Sequence, residues 1–378
     1  MNDAKQLANE HAELTRRYFL KLGAAGIAGL STAPLWANEV DSRAALEDAI
    51  ARLEYLTPEA QFKMYGRGDP PPHTLPEEKL REVGLTRDTW QLEVVPDPES
   101  NADVANPMSK EAGTALDFNG LMQLAETRAV RFLLAMSCTN GRSPCGMGLW
   151  EGVPLRDVIW KTQPTGNVRR VFYWGYHNDD PKQQFRSSLP IGRVLEDPPD
   201  EHPVILCYKL NDKWLSPKAG APVRLLVPGE YGNKSVKWLQ HVVLTNEWKA
   251  NDTYAEWNND TVSKMKTCAR FLQTPKTAKA GRPIPITGVA QVGMSGLKKV
   301  QVWLHPEGDP LPGGDPYFTK ADWQDAEVLG PPEHWGSAVP DGKLPPIPNQ
   351  IESETGKPHT WPLRYTLAHW AIALRDIA

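Results

Sequence analysis

Proline constrains this sequence more than any other residue, because 35 of its 378 residues are proline. Each proline fixes φ and removes a backbone N–H donor, so it interrupts helices and is confined to loops, turns and strand edges. Long helical bundles are therefore excluded, and we expect a β-rich architecture with long connections. The chain also exceeds the size at which one hydrophobic core stops growing, so two folded domains are expected.

Composition and motifs exclude several classes of function. Apolar residues make up 40% of the chain and charged residues 23%, with a formal net charge of −4. These values argue against disorder and against a polybasic nucleic-acid binder. The sequence has no GxGxxG loop, no Walker sequence, no CxxCH haem motif and no zinc-type spacing. We therefore expect a globular protein with no nucleic-acid partner.

Residues 1–37 have the pattern of an export signal. Arg16 and Arg17 stand ahead of a mild apolar stretch over residues 22–30, which is typical of a twin-arginine signal. The apolar run is shorter than the roughly 20 residues that span a bilayer, so no permanent membrane anchor is expected. The sequence predicts cleavage near Ala37 and a periplasmic location. An ordinary amphipathic N-terminal helix is the alternative.

The rest of the chain predicts a mixed α+β fold in two parts. Helical spacing over residues 42–56 and 118–126 is interspersed with strand patterns, and regular parallel βα alternation is absent. Residues 273–285 are rich in proline, glycine and lysine, as linkers between domains often are. We therefore expect one domain over residues 38–272 and a separate β-sandwich over residues 273–378.

The cysteines offer two interpretations. Cys138, Cys145, Cys207 and Cys268 lie in a chain with an export pattern, so a disulfide that joins Cys138 to Cys145 or to another cysteine has to be considered. Cys138, however, ends an apolar strand and opens a glycine-containing loop with Arg142 four residues on. A thiolate is the soft ligand that thiophilic metals select, and a nearby guanidinium favours the thiolate form. The sequence therefore favours a metal role for Cys138.

Two blocks of sequence resemble the sulfite oxidase family of mononuclear molybdopterin oxidoreductases. Residues 133–160 (LLAMSCTNGRSPCGMGLWEGVPLRDVIW) are similar to the family's cysteine strand and its following W-x-G-V-P-L-R-D-V segment. Residues 221–239 (APVRLLVPGEYGNKSVKWL) are similar to the family's P-V-R-x-x-V-P-G-x-x-G-x-x-S-V-K-W-L. The tail over residues 286–303 is similar to the start of the family's immunoglobulin-like dimerisation domain. The resemblance covers the chain from about Tyr65 to near its end.

The resemblance implies a cofactor of molybdenum with molybdopterin, and it implies Cys138 as the metal ligand. The positions that match the family's cofactor contacts are Arg67, Asp179, Asp180, Arg224, Ser235, Val236 and Lys237. One inserted residue leaves open whether Asp179 or Asp180 contacts the pterin. Guanidinium and ammonium donors of this kind suit a dianionic phosphate. Arg142 and Arg67 are implied to hold an anionic substrate near the metal.

The implied activity is oxygen-atom transfer to or from a sulfur-centred substrate, with sulfite or a related sulfur anion as the first expectation. Departures from the family pattern leave alternatives open, because Ala219 and Val262 replace a family histidine and a family tyrosine. The alternatives are a sulfane dehydrogenase, a sulfoxide reductase or a metal-free binding or assembly module. Electrons are expected to pass to a c-type cytochrome or another periplasmic acceptor. A homodimer through the C-terminal domain is compatible with the resemblance.

Overall fold

The computed structural model describes residues 35–65, 68–139, 143–197, 201–258, 263–278, 281–311, 313–347 and 350–374. Nearly all of the predicted signal lies outside these ranges, and so do Arg67 and Arg142. The first described helix runs through the predicted cleavage position at Ala37. No helix within the described ranges combines the length and the apolar character that a membrane crossing requires.

Helices and strands both occur along the described part of the chain. The helices within the described residues are α1 (Leu35–Ala51), α2 (Glu77–Glu82), α3 (Phe118–Arg128), α4 (Leu155–Lys161), α5 (Ile191–Leu195) and α6 (Thr253–Asn258). The strands are β1 (Gln91–Pro96), β2 (Leu116–Asp117), β3 (Val130–Ser137), β4 (Pro144–Pro154), β5 (Arg170–Gly175), β6 (Arg186–Pro190), β7 (Ile205–Leu210), β8 (Lys213–Trp214), β9 (Arg224–Leu226), β10 (Leu239–Thr245), β11 (Cys268–Gln273), β12 (Ile284–Gln291), β13 (Val300–Val302), β14 (Gln324–Val328) and β15 (Leu367–Leu374). The mixed α+β prediction is confirmed.

The first sheet has the strand order β2-β1-β10-β5-β6. Only β1 and β10 pair in parallel, and the other pairs are antiparallel. Leu92 and Val94 of β1 are fully buried and alternate with partly exposed neighbours, as in a strand with one face on a core. The adjoining helix α3 begins where the Asp117 carboxylate accepts the Gly120 N–H at 2.7 Å, which satisfies one of the open donors of the first turn.

The second sheet joins two hydrophobic cores. Its order is β3-β4-β7-β8, with β9 paired to β7. Leu134 of β3 packs in a core with Trp150, whereas Leu133 packs in another core with Trp335 and Leu367 of the C-terminal part. Successive residues of a strand point to opposite faces, so both faces of β3 are covered. The end of this strand, which carries Cys138, is therefore held from two sides.

The C-terminal sheet has the order β11-β12-β15-β14-β13 and a core of its own. Its first strand, Cys268–Gln273, ends at the predicted domain boundary. The sheet-rich character fits the expectation for this part of the chain. Within the described residues only this one sheet is formed here, so the immunoglobulin-like sandwich and the domain limits stay predictions.

All four cysteines are free thiols. The disulfide alternative for Cys138 is therefore absent from this structure. Cys207 on β7 is fully buried, and this burial raises the pKa of its thiol to about 12. Cys207 is consequently a protonated core residue. Cys138 lies just after the end of β3 and is only partly buried.

Candidate functional site

A cavity of about 370 Å³ lies where the ends of β3 and β5 meet the chain between β9 and β10. The end of β3 contributes Met136, Ser137 and Cys138, and the end of β5 contributes Gly175, Tyr176 and His177. Arg224 of β9 and six residues of the 232–238 segment complete much of the wall. Three secondary-structure elements of the two N-terminal sheets therefore converge on one concave site, as ligand pockets commonly require.

Two glycines allow the 232–238 segment to lie close to the sheets. A Cβ at Gly175 would be 2.2 Å from the carbonyl oxygens of Lys237 and Trp238. Gly220 has a φ of +108°, and a Cβ there would be 2.9 Å from the Lys237 side chain. Glycine is the residue that permits such a close backbone approach and such a φ. The position of Lys237 in the cavity thus depends on both glycines.

Cys138 is held by its neighbours on the β3–β4 hairpin. The hydroxyl of Ser137 donates a short hydrogen bond to the side-chain oxygen of Gln291, whose amide in turn donates to the Lys266 carbonyl at 2.7 Å. This chain of bonds ties the end of β3 to β12 of the C-terminal sheet. Thr139 has a buried hydroxyl that makes no hydrogen bond within the described part of the chain, which leaves a polar group available to a ligand.

Cys145 lines the same cavity as Cys138. Burial, followed by the proximity of Cys138, raises the pKa of the Cys145 thiol to about 11. Cys145 is therefore a neutral thiol at physiological pH. The site presents two thiols of different character, of which the partly buried Cys138 is the one suited to ligate a metal as a thiolate.

Arg224 is a buried cation whose donors are only partly used. Its side chain is 1% exposed, and its two terminal nitrogens donate to the carbonyl oxygens of Ala219 at 2.9 Å and Ser235 at 2.7 Å. The Nε atom is buried and has no hydrogen-bond partner among the described residues. Burial lowers the pKa of the guanidinium to about 10, so it is still charged at neutral pH. A buried donor without a partner marks a place for an acceptor that a ligand could supply.

Lys237 is a second cation that lacks a counter-charge. Its ammonium donates to the carbonyl oxygens of Tyr65 and Lys218, both at 2.8 Å. Burial, followed by repulsion from Arg224 and Lys218, lowers the pKa of Lys237 to about 7. An anion in the cavity would favour the charged form again.

His73 adds an uncharged polar ring beside the cavity. Its ring stacks on Trp238 with centroids 6.4 Å apart, and its Nδ1 is buried without a hydrogen-bond partner in the part of the chain described. Burial, followed by repulsion from Lys237, lowers the pKa of His73. Among the described residues that line the cavity there is no Asp or Glu. The donor set therefore suits an anionic group such as a phosphate.

The structure brings together most of the predicted cofactor residues. The predicted residues that line the cavity are Cys138, Arg224, Ser235, Val236 and Lys237. Asp179 and Asp180 are exposed and are not among the described lining residues. The Asp179 carboxylate accepts the Tyr176 hydroxyl at 3.1 Å and pairs with Lys79 at 3.3 Å, and Asp180 caps the turn Pro181–Gln183. With their carboxylates engaged outside the cavity, the pterin contact of either aspartate stays a prediction.

Sequence reasoning missed other residues of the site. Lys63 and His73 come from proline-rich loops that carry no periodic signal. Cys145 was weighed only as a disulfide partner. Gly175 did carry a usable signal, because a lone glycine at the end of a strand often marks close approach of another backbone.

The comparisons with known proteins agree with this geometry. A family profile described as the oxidoreductase molybdopterin binding domain matches residues 85–253. Mitochondrial sulfite oxidase of Drosophila melanogaster is 28% identical over 178 residues, which cover 44% of this chain and 30% of that protein. Nitrate reductase (NADPH) of Pichia angusta is 32% identical over 128 residues, which cover 34% of this chain and 14% of that protein. The chain thus spans less than a third of the length of either relative.

One solved structure also matches the chain at low sequence identity. The crystal structure of sulfane dehydrogenase SoxCD from Paracoccus pantotrophus matches with a TM-score of 0.49 and 16% identity, over 77% of this chain and 64% of that chain. The family profile and the two sequence relatives confirm the prediction of molybdenum with molybdopterin as the cofactor and of a molybdenum-dependent oxidoreductase as the class. The residues present fit such a cofactor, because the cavity combines a thiol at Cys138 with unneutralised cations.

Proposed function

We propose that this chain is a mononuclear molybdopterin oxidoreductase of the sulfite oxidase type, as its family profile and relatives suggest, and that it oxidises a sulfur-centred anion, with sulfite as the first candidate. The observation that carries the proposal is the cavity in which Cys138 meets Arg224 and Lys237 with no carboxylate among the described lining residues. A site of this charge favours an anionic cofactor and attracts an anionic substrate.

The cofactor residues have separate roles in this proposal. Cys138 would hold the metal, and Arg224, Ser235, Val236 and Lys237 would hold the pterin and its phosphate. When bound, the molybdenum–molybdopterin group supplies oxygen-atom transfer coupled to a change of two electrons. The free Nε of Arg224 and the ammonium of Lys237 are the donors that a phosphate would engage.

Other residues of the chain would orient the substrate. Tyr65 lines the cavity, and burial, followed by the proximity of Cys145 and Cys138, raises the pKa of its hydroxyl. Tyr65 therefore stays protonated and can donate a hydrogen bond to an oxyanion. Arg67 and Arg142, which lie outside the described residues, are proposed to hold the substrate anion. Preorganised donors of this kind stabilise charge that develops during reaction.

Export, electron transfer and assembly belong to the same proposal. The twin-arginine pattern supports a periplasmic location, where a c-type cytochrome or another acceptor would receive the electrons. Residues 38–272 would form the molybdopterin-binding domain, and residues 273–378 would form an immunoglobulin-like domain through which a homodimer could assemble.

Steady-state kinetics of sulfite oxidation test the proposal. Protein exported from a host that makes the cofactor is assayed with sulfite and a soluble one-electron acceptor. The wild type is expected to turn over, and Cys138→Ser is expected to be inactive. Arg142→Met is expected to raise KM for sulfite. Cys207→Ser, a buried thiol outside the cavity lining, is the matched control. Turnover by Cys138→Ser equal to that of Cys207→Ser would contradict the role of Cys138.

A sulfoxide reductase is a second candidate, because the cavity wall is partly apolar. The cavity is lined beside the cations by Met64, Met136, Phe185 and Trp238. Such a wall accommodates a neutral, apolar sulfur compound better than it accommodates sulfite. Reduction of methionine sulfoxide by a reduced dye, without sulfite oxidation, would favour this candidate. Sulfite oxidation without sulfoxide reduction would exclude it.

A further inference from the structure

Lys234 differs from its neighbours in the 232–238 segment. Every other residue of this segment lines the cavity, whereas the Lys234 side chain is 1% exposed and points into the protein interior. Asn233 and Ser235, on either side of it, both face the cavity. Lys234 is therefore placed to hold the segment from behind.

The Lys234 side chain ends in a closed network. Its ammonium lies 2.7 Å from a carboxylate oxygen of Asp252, which is fully buried, and donates to the Ser188 carbonyl at 3.1 Å. The Ser188 hydroxyl donates to the same Asp252 oxygen at 2.9 Å. The other Asp252 oxygen accepts the Ala255 N–H at 3.0 Å, which caps the start of α6. The backbone is fixed as well, since the Tyr173 hydroxyl donates to the Lys234 carbonyl at 2.9 Å.

A second connection joins the same two parts of the chain. The side-chain amide of Asn233 donates to the Ser263 hydroxyl at 3.0 Å, and the Tyr231 N–H donates to the Ser263 carbonyl at 2.8 Å. The 232–238 segment and its neighbour Tyr231 are thus bonded to Asp252 and also to Ser263.

Stability alone does not account for the buried ion pair. Two charges removed from water lose hydration that their attraction only partly restores, and a well-packed apolar pair is often at least as stabilising. What an ion pair adds is a fixed distance between two elements, supported here by Ser188 and by the cap of α6. We propose that Lys234 and Asp252 are positioning residues that fix the 232–238 segment so that Ser235 and Lys237 face the cofactor. This role rests on the proposed function, because molybdopterin is the ligand that the segment would hold.

A double replacement separates positioning from stability. In Lys234→Met/Asp252→Leu the charges leave together, so the melting temperature of the cofactor-free protein is expected to equal or exceed that of the wild type. Amide hydrogen exchange over residues 232–238 is nevertheless expected to be about tenfold faster, because the local tether is lost. Molybdenum per chain, in protein from a cofactor-making host, is expected to fall about tenfold, since outer residues that hold a site commonly contribute that order of effect.

The control removes a less buried ion pair away from the cavity. Lys209 and Glu151 pair at 3.0 Å between β7 and β4, with side chains 25% and 13% exposed. Lys209→Met/Glu151→Leu is expected to change neither exchange over residues 232–238 nor molybdenum content. Wild-type exchange in Lys234→Met/Asp252→Leu would overturn the positioning role.

The two proposals fail in different ways. If the wild type takes up no molybdenum, the proposed function fails, while hydrogen exchange in the cofactor-free chain still tests the tether. If the double variant does not fold, Lys234→Arg tests the positioning role instead, because it keeps the positive charge but places a larger head group beside Asp252. Faster exchange over residues 232–238 in folded Lys234→Arg supports the positioning role, and unchanged exchange overturns it.

Discussion

Arg224 and Lys234 are both 1% exposed, yet their surroundings differ. Lys234 meets a buried carboxylate and closes a network with Ser188 and Asp252. Arg224 meets neutral acceptors and keeps a buried Nε without a hydrogen-bond partner among the described residues. Protein interiors normally complete their polar groups. The difference indicates that the charge of Lys234 is paired within the protein, whereas the free donor of Arg224 would be satisfied by an anionic ligand.

The largest change in the free energy of unfolding is expected when the network of Lys234, Asp252 and Ser188 is broken. Asp252→Leu is expected to lower the free energy of unfolding by about 3–5 kcal/mol, because it leaves the Lys234 ammonium buried without its carboxylate. Denaturant unfolding of the cofactor-free protein measures this change. Glu47→Leu, which removes an exposed pair with Arg43 on α1, is expected to have a much smaller effect. Equal effects of the two substitutions would contradict the contrast.

Close packing under the cavity gives the next prediction. Gly175→Ala is expected to lower the free energy of unfolding by about 1–3 kcal/mol, because its Cβ would meet the carbonyls of Lys237 and Trp238. It is also expected to reduce molybdenum content, since the segment must shift. Gly192→Ala in α5, where a Cβ meets nothing within 4 Å, is the control. An unchanged free energy of unfolding in Gly175→Ala would contradict the close packing, because it would mean that the 232–238 segment moves aside without cost.

Replacement of Arg224 in the cavity is expected to affect molybdenum content more than stability. Arg224→Met is expected to change the free energy of unfolding of the cofactor-free protein by less than about 2 kcal/mol, because it removes hydrogen bonds to neutral carbonyls together with an unneutralised charge. The same variant is expected to lose most of its molybdenum. A loss of stability as large as that of Asp252→Leu would remove the distinction between the two cations.

The last prediction is a dependence of stability on pH. The folded state lowers the pKa of Lys237 from its ordinary 10.5 to about 7, so above pH 7 the unfolded chain binds more protons at this position. The free energy of unfolding of the cofactor-free wild type should therefore rise between about pH 7 and 9 relative to Lys237→Met. Below pH 7 the two proteins should run in parallel. The groups facing Lys237 include Arg224, Lys218 and Cys145, all of which the comparison keeps in place.

Sequence patterns predicted the local elements of this site well. The apolar run before Cys138 became β3, and the helix expected over residues 118–126 is α3. Both follow from hydrophobic patterning, which is a local property. Arg224 and Lys237 of the second motif line one cavity with Cys138.

Contacts between distant segments were not visible in the sequence. The Lys234–Asp252 pair joins a loop to a helix cap, and neither position has a periodic signal. The proline-rich loop that brings His73 beside the cavity likewise follows no repeat. The orientation of Asp179 and Asp180 depends on local capping and on Lys79. Tertiary packing decides these positions.

Molybdenum per chain is the measurement that tests the central claim most directly. It should be determined by elemental analysis of the wild type, Cys138→Ser and Cys207→Ser, all exported from a host that makes the cofactor. A cavity completed by molybdopterin through Cys138 predicts near-stoichiometric metal in the wild type and in Cys207→Ser, and almost none in Cys138→Ser. Folded wild type without molybdenum, or equal metal in all three proteins, would contradict it.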